Sequence, residues 1–91
     1  MELKNLIKEL GAFKTLTKIP NTGQGYILYF ENGNLLYSYD TIIAIKLNNQ
    51  TYINNNYYDY STTTGKHRNF YLGEKLKDTE KKIKVGDYKL F

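Results

Sequence analysis

Ninety-one residues carry 13 Lys and Arg against 9 Asp and Glu, with no cysteine at all. A chain of this size supports one core, so a single domain over residues 1–91 is expected, and the missing thiols exclude a disulfide framework, zinc fingers and thiol catalysis. The net charge of +4 is a mild bias toward nucleic acid, anionic surfaces or acidic proteins, and no stretch reads as a signal peptide or a membrane span. A soluble, cytoplasmic chain is the expectation. Abundant Lys, Asn, Ile and Tyr with one Pro and no Trp also fits an AT-rich genome, so some of the ten tyrosines reflect base composition.

Leu3, Leu6, Ile7 and Leu10 recur at i, i+3, i+4 and i+7, which predicts a short amphipathic helix capped by Gly11. Phe13 to Lys18 is a candidate short strand, and Pro20 with Gly23 and Gly25 marks a loop. Tyr26 to Phe30 and Leu35 to Tyr37 are β-favouring runs joined by Asn32-Gly33, a hairpin signal because both residues tolerate positive φ. Ile42 to Leu47 lacks polar alternation and reads as a central strand. Asn48-Asn49 turns the chain into Thr51 to Ile53, and Asn54 to Asn56 turns it again into a further strand, Tyr57 to Tyr60. Thr62 to Leu72 can form a second helix with Ser61 as N-cap and Gly73 past its end, although Gly65 weakens it. Lys81 to Val85 alternates charged and apolar residues as a strand does, with Tyr88 to Phe91 as its hairpin partner across Gly86-Asp87. The expected fold is α+β: a small twisted antiparallel meander with an N-terminal helix and a second helix after the central strands, the helices covering one face.

The segment Tyr57 to Phe70 concentrates chemistry, because a Ser/Thr run leads into the only histidine and the only arginine. Ser61 to Thr64 is an N-cap run whose free N–H groups and hydroxyls, with Lys66 and Arg68, could receive a phosphate or carboxylate. The flanking cations disfavour an imidazolium at His67, so a neutral ring in a structural or ligand-contacting role is expected, and no carboxylate is placed to make it catalytic. Tyr37 and Tyr39 on one strand, with Tyr58 and Tyr60 on another, could form an aromatic platform for stacking bases; alternatively the rings fill the core with their hydroxyls at the rim. The carboxylates show no ligand-like spacing, so no metal is expected, and no cofactor either; Gly23-Gln24-Gly25 is a turn rather than a phosphate loop.

Two segments, Tyr37-Ser38-Tyr39-Asp40-Thr41-Ile42-Ile43-Ala44 and Tyr60-Ser61-Thr62-Thr63-Thr64-Gly65-Lys66-His67, resemble those of small uncharacterised phage and mobile-element proteins. The resemblance covers about a third of the chain, and this chain has Gly65 where that group often has Ser. It implies a phage setting and a shared site at Tyr39, Thr41, Ser61, Thr63, Thr64, Lys66 and His67, with no reaction attached. The expected function is a non-enzymatic, phage-encoded binding protein of the host cytoplasm. It would act on a host nucleic-acid-handling or defence complex as an anti-CRISPR-type inhibitor does, through Tyr37, Tyr39, Tyr60, Thr63, Thr64, Lys66, His67 and Arg68. The alternatives are direct binding of DNA or RNA by the basic, tyrosine-rich surface and, more weakly, a small nuclease-like enzyme.

Overall fold

The computed structural model describes residues 2–91. Helix α1 (Leu3–Leu10) leads into strands β1 (Phe13–Lys18), β2 (Gly25–Phe30), β3 (Gly33–Ser38), β4 (Thr41–Leu47) and β5 (Gln50–Ile53). Helices α2 (Thr62–Leu72) and α3 (Leu76–Val85) follow, then strand β6 (Tyr88–Leu90). The sheet runs β1-β2-β3-β4-β5-β6, antiparallel throughout its meander, and β6 closes it in parallel beside β5. The chain is an α+β fold, as its pattern of periods predicts.

Period-two alternation sends successive strand residues to opposite faces, and here both faces are covered. On one, Leu6 and Leu10 of α1 pack on Leu35, Ile45 and Leu47. On the other, Tyr71 of α2 packs with Leu36, Ile43, Ala44 and Ile53, and Ile83 of α3 with Tyr88 borders them. Coverage of a single face is therefore corrected: α1 takes the face that α2 and α3 leave open. The unbroken Ile42-Ile43-Ala44-Ile45 run follows from this, since every position meets a core. A register shift helps, because Leu36 pairs with Ala44 while Tyr37 pairs with Ile42, leaving Ile43 as a bulged residue on the same side as Ala44.

Three local expectations are corrected. Tyr57 to Tyr60 is a tight loop, not a strand, because Asn54 turns the chain away from the sheet. Its side chain donates to Ile42 O and accepts from Asn56 N, while its carbonyl takes the amides of Tyr57 and Tyr58. The position beside β5 is left for β6. Lys81 to Val85 belongs to α3, where Leu76, Thr79 and Ile83 fall at helical spacing and turn inward while Val85 stays exposed. Gly86 is the left-handed cap of that helix (φ 88°), so there is no Gly86-Asp87 hairpin, and Tyr88 to Leu90 pairs with β5 instead. The β2–β3 hairpin exists, but neither Asn32 nor Gly33 adopts positive φ; that conformation belongs to Tyr39-Asp40 and Asn48-Asn49, the two-residue turns either side of β4. Glu31 and Asn32 instead secure α1 to the sheet, Glu31 Oε1 taking the Ala12 amide at 2.8 Å and Asn32 Nδ2 donating to Glu9 O at 3.0 Å.

Glu74, in the short link between α2 and α3, ties the C-terminal elements together. One carboxylate oxygen accepts from Lys82 Nζ (2.7 Å) and the Tyr88 hydroxyl (2.8 Å), the other from Thr79 Oγ1 (2.6 Å). Burial alone would raise its pKa, but the hydrogen bonds from Lys82, Thr79 and Tyr88 outweigh that and hold it below the ordinary value of 4.5. A depressed carboxyl stabilises the fold above its unfolded value, and that contribution disappears as pH falls through the folded one. Glu74→Gln should therefore cost about 2 kcal/mol in urea unfolding at pH 7, the scale of hydrogen bonds to a charged group. The gap to the parent should shrink below about pH 4.

Candidate functional site

Ser61 adopts extended backbone (φ −150°, ψ 168°) and its Oγ accepts the Thr64 amide at 3.1 Å, so the Ser/Thr run starts α2 as a cap. The hydroxyls then continue inward. Ser61 Oγ donates to Thr64 Oγ1 at 3.1 Å, Thr64 Oγ1 lies 3.2 Å from Ser38 Oγ, and Ser38 Oγ lies 2.8 Å from His67 Nδ1. Thr64, Ser38 and His67 are buried, so a hydroxyl proton without a partner costs about 1–3 kcal/mol. The direction in which Thr64 donates to Ser38, and Ser38 to Nδ1, uses every hydroxyl proton. It leaves only Nε2 unpaired, and the reverse direction would also strand the Thr64 proton. The former direction corresponds to the Nε2–H tautomer of His67.

Two glycines make room for this arrangement. Ser38 pairs with Gly25 across β2 and β3, and a Cβ on Gly25 would run into the His67 ring, so the imidazole lies directly on strand backbone. A Cβ on Gly23 would meet the Tyr39 hydroxyl, with Thr63 Cγ2 3.6 Å away. The turn read from Gly23-Gln24-Gly25 thus seats two aromatic rings, Tyr39 and His67, whose centroids are 6.0 Å apart.

Arg68 is corrected from a surface cation to a buried one at 2% exposure. Its Nη1 donates to Tyr58 O at 2.6 Å and lies 3.4 Å from Asp59 Oδ1, and Nη2 donates to Asn69 Oδ1 at 3.0 Å. The guanidinium holds the Tyr57–Tyr60 loop against α2. His67, fully buried, is likewise part of the fold and not a contact surface.

At the end of the sheet carrying the Tyr39-Asp40 turn, the hydroxyl chain meets solvent in a recess of about 140 Å³. It is lined by Ser38, Tyr39, Thr41, Ile43, Tyr57, Tyr60 and Thr64. Tyr39, Tyr57 and Tyr60 are 46%, 41% and 72% exposed, and the Tyr57 and Tyr60 rings lie 5.5 Å apart at 53°. The floor is hydroxyl and aliphatic, the walls aromatic. Of the residues singled out from sequence, Tyr39, Thr41, Tyr60 and Thr64 meet here, Ser61 and Thr63 border it through Thr64 and Tyr39, and Lys66 stays exposed on α2. Tyr37 is separated from them, on the α1 face with its hydroxyl donating to Asp40 Oδ1 at 3.3 Å. The single platform of Tyr37, Tyr39, Tyr58 and Tyr60 is therefore replaced by a triad in which Tyr57 stands and Tyr37 does not; Tyr58 packs on the α2 core. Ser38 and Tyr57 were not among the candidate site residues. Ser38 could have been found as a polar residue two positions from Leu36, on an inward-facing strand register. Among the described residues, no group of three or more His, Asp or Glu is placed to hold a metal ion, and no helix is long and apolar enough to cross a membrane.

The chain belongs to a family of unknown function, DUF8033, which matches it over residues 1–87. No curated protein and no solved structure matches it.

Burial lowers the His67 pKa from its ordinary 6.5, and the positive charge of Lys18 lowers it further. The folded protein thus keeps a neutral ring where the unfolded chain binds a proton, so stability is complete above about pH 6.5 and falls as pH drops below it. His67 is the only histidine. Urea unfolding between pH 7 and 5 should show a loss of up to about 1.4 kcal/mol per pH unit, and His67→Gln should remove that slope.

Proposed function

We propose that this domain is a non-enzymatic binding protein that stacks a base of single-stranded nucleic acid in the recess walled by Tyr39, Tyr57 and Tyr60. The observation that carries this reading is the gathering of three solvent-exposed tyrosines, from a strained turn and a separate loop, around one cleft with a hydroxyl floor. Base–aromatic stacking contributes about 1–3 kcal/mol per base and accepts any π-face. Tyr39 is held at φ 45°, a conformation unfavourable for a bulky residue, and strain of that kind gathers at functional sites. Lys66 is exposed on α2 two residues after Thr64, a flexible cation available to a phosphate.

The burial of the hydroxyl–imidazole pair supports a binding role. Ser38 and His67 form a hydroxyl–imidazole pair, but at 1% and 0% exposure they are committed to holding α2 on the sheet. Action on a host nucleic-acid-handling or defence complex, the role the phage resemblance implies, would then proceed through a single strand presented by that complex.

The test is fluorescence anisotropy of labelled single-stranded and duplex DNA and RNA at about 50 and 200 mM salt. Single strands should bind, salt-sensitively, and more tightly than duplex. Tyr60→Ala should weaken binding about tenfold, and Lys66→Ala should reduce the log–log salt slope by about 0.7, the loss of one single-strand phosphate contact. No binding at either salt, or binding unchanged by Tyr60→Ala, would overturn the reading and leave the tyrosines as a surface for a protein partner.

A further inference from the structure

The exposed residues of α2 are Thr62, Lys66 and Phe70, at i, i+4 and i+8. Each step of four residues turns the helix about 40° past a full turn and rises about 6 Å, so the three form one stripe on the side away from the sheet. Phe70 stands out in it as a phenyl ring left 55% exposed. Among the described residues it belongs to neither hydrophobic core. Its place in the sequence therefore gains nothing from the burial that ordinarily favours a phenylalanine.

The stripe begins at the tyrosine recess. Tyr60 and the Ser61 cap immediately precede Thr62. Thr63 Cγ2 lies 3.6 Å from where a Cβ on Gly23 would stand, the same space that the Tyr39 hydroxyl occupies. Thr63 and Phe70 are seven residues apart, about 10 Å along the helix axis and within about 20° of each other around it. A strand leaving the Tyr39 wall along α2 thus passes Lys66 before it reaches Phe70. At about 3.4 Å per stacked nucleotide, and more when extended, it covers that distance in two or three nucleotides. The make-up of the stripe decides its occupant. A protein partner calls for a contiguous apolar patch, whereas the other exposed residues here are a lysine and a threonine. A base needs only one ring face, with a cation near the adjoining phosphate.

We infer that Phe70 is a second base-stacking residue, which continues the single-strand site of the recess along the outer face of α2, with Lys66 on the phosphates between the two stacked bases. This rests on the reading of the recess as a single-strand site and extends it to a footprint of about four nucleotides, the lower end of what single-strand binding modules cover. Phe70 lines no part of the recess, so its removal leaves Tyr39, Tyr57 and Tyr60 in place.

The experiment compares labelled oligodeoxythymidines of two and six nucleotides by fluorescence anisotropy. The hexamer should bind at least about tenfold more tightly than the dimer. Phe70→Ala, with the parent circular dichroism spectrum, should remove most of that advantage, while Tyr60→Ala should weaken both lengths. The chain has no tryptophan, so Phe70→Trp supplies a single reporter that can still stack. It should keep the hexamer affinity within about twofold of the parent, and its emission should be quenched as the hexamer binds. A hexamer bound no better than the dimer, hexamer binding unchanged by Phe70→Ala, or an unquenched Phe70→Trp emission would overturn the inference. If Tyr60→Ala still weakened binding in those cases, the recess reading would stand without it. Binding of neither oligonucleotide would overturn both.

Discussion

Everything distinctive in this fold depends on a helix that docks through polar groups. Most surface helices are held by an apolar stripe, yet the residues α2 turns to the sheet are Thr64, Gly65, His67, Arg68 and Tyr71. Only Tyr71 and the terminal Leu72 bring apolar surface to the core, and even the Tyr71 hydroxyl is committed, donating to Asn34 Oδ1 at 2.6 Å. In place of the stripe stands a hydrogen-bonded line from Ser61 through Thr64 and Ser38 to His67, lying against backbone bared by Gly25. Such a line is directional. It fixes the rotation of α2 about its axis and its register along β3 in a way that fluid apolar contact would not.

That fixed register has a consequence at the surface. The same Ser61 that caps the helix sits next to Tyr60, and the same Thr64 and Ser38 that join helix to sheet form the recess floor. Arg68, one turn further, closes on the carbonyl of Tyr58 and so sets the loop that presents Tyr57 and Tyr60. On the facing side, Gly23 yields space to the hydroxyl of Tyr39, which the β3–β4 turn holds in left-handed backbone. The recess walls are therefore anchored from behind by buried hydrogen bonds, and three exposed aromatic rings are pre-positioned. Pre-positioned rings bind with less ordering cost than mobile ones.

Much of this was legible in the residues. The spacing of Leu3, Leu6 and Leu10, the four central strands, the Ser61 cap and the Gly73 stop all follow from local rules, and the structure has them at those places. Two elements were not legible, because short runs satisfy two periods at once. Lys81 to Val85 alternates like a strand, but only Ile83 reaches the core, and Leu76 and Thr79 upstream complete a helical face. Tyr57 to Tyr60 has strand composition, but Asn54 bends the chain before it can pair. The site was legible as a neighbourhood and not as a geometry. Lys66, His67 and Arg68 look alike as a basic run, yet a helix rotates each by about 100° from the last: Lys66 faces solvent while the next two turn inward. Ser38 gave little signal alone, since its importance comes from long-range pairing with Gly25 and α2.

Because the recess and its polar anchor form one unit, the account is tested most directly by locating a bound strand on the protein. A single-stranded oligonucleotide carrying 5-iodouracil, photocrosslinked to the domain and mapped by peptide mass spectrometry, should place its adducts on Tyr39, Tyr57 or Tyr60. Adducts confined to the lysines of α3, with none on those tyrosines, would contradict the account.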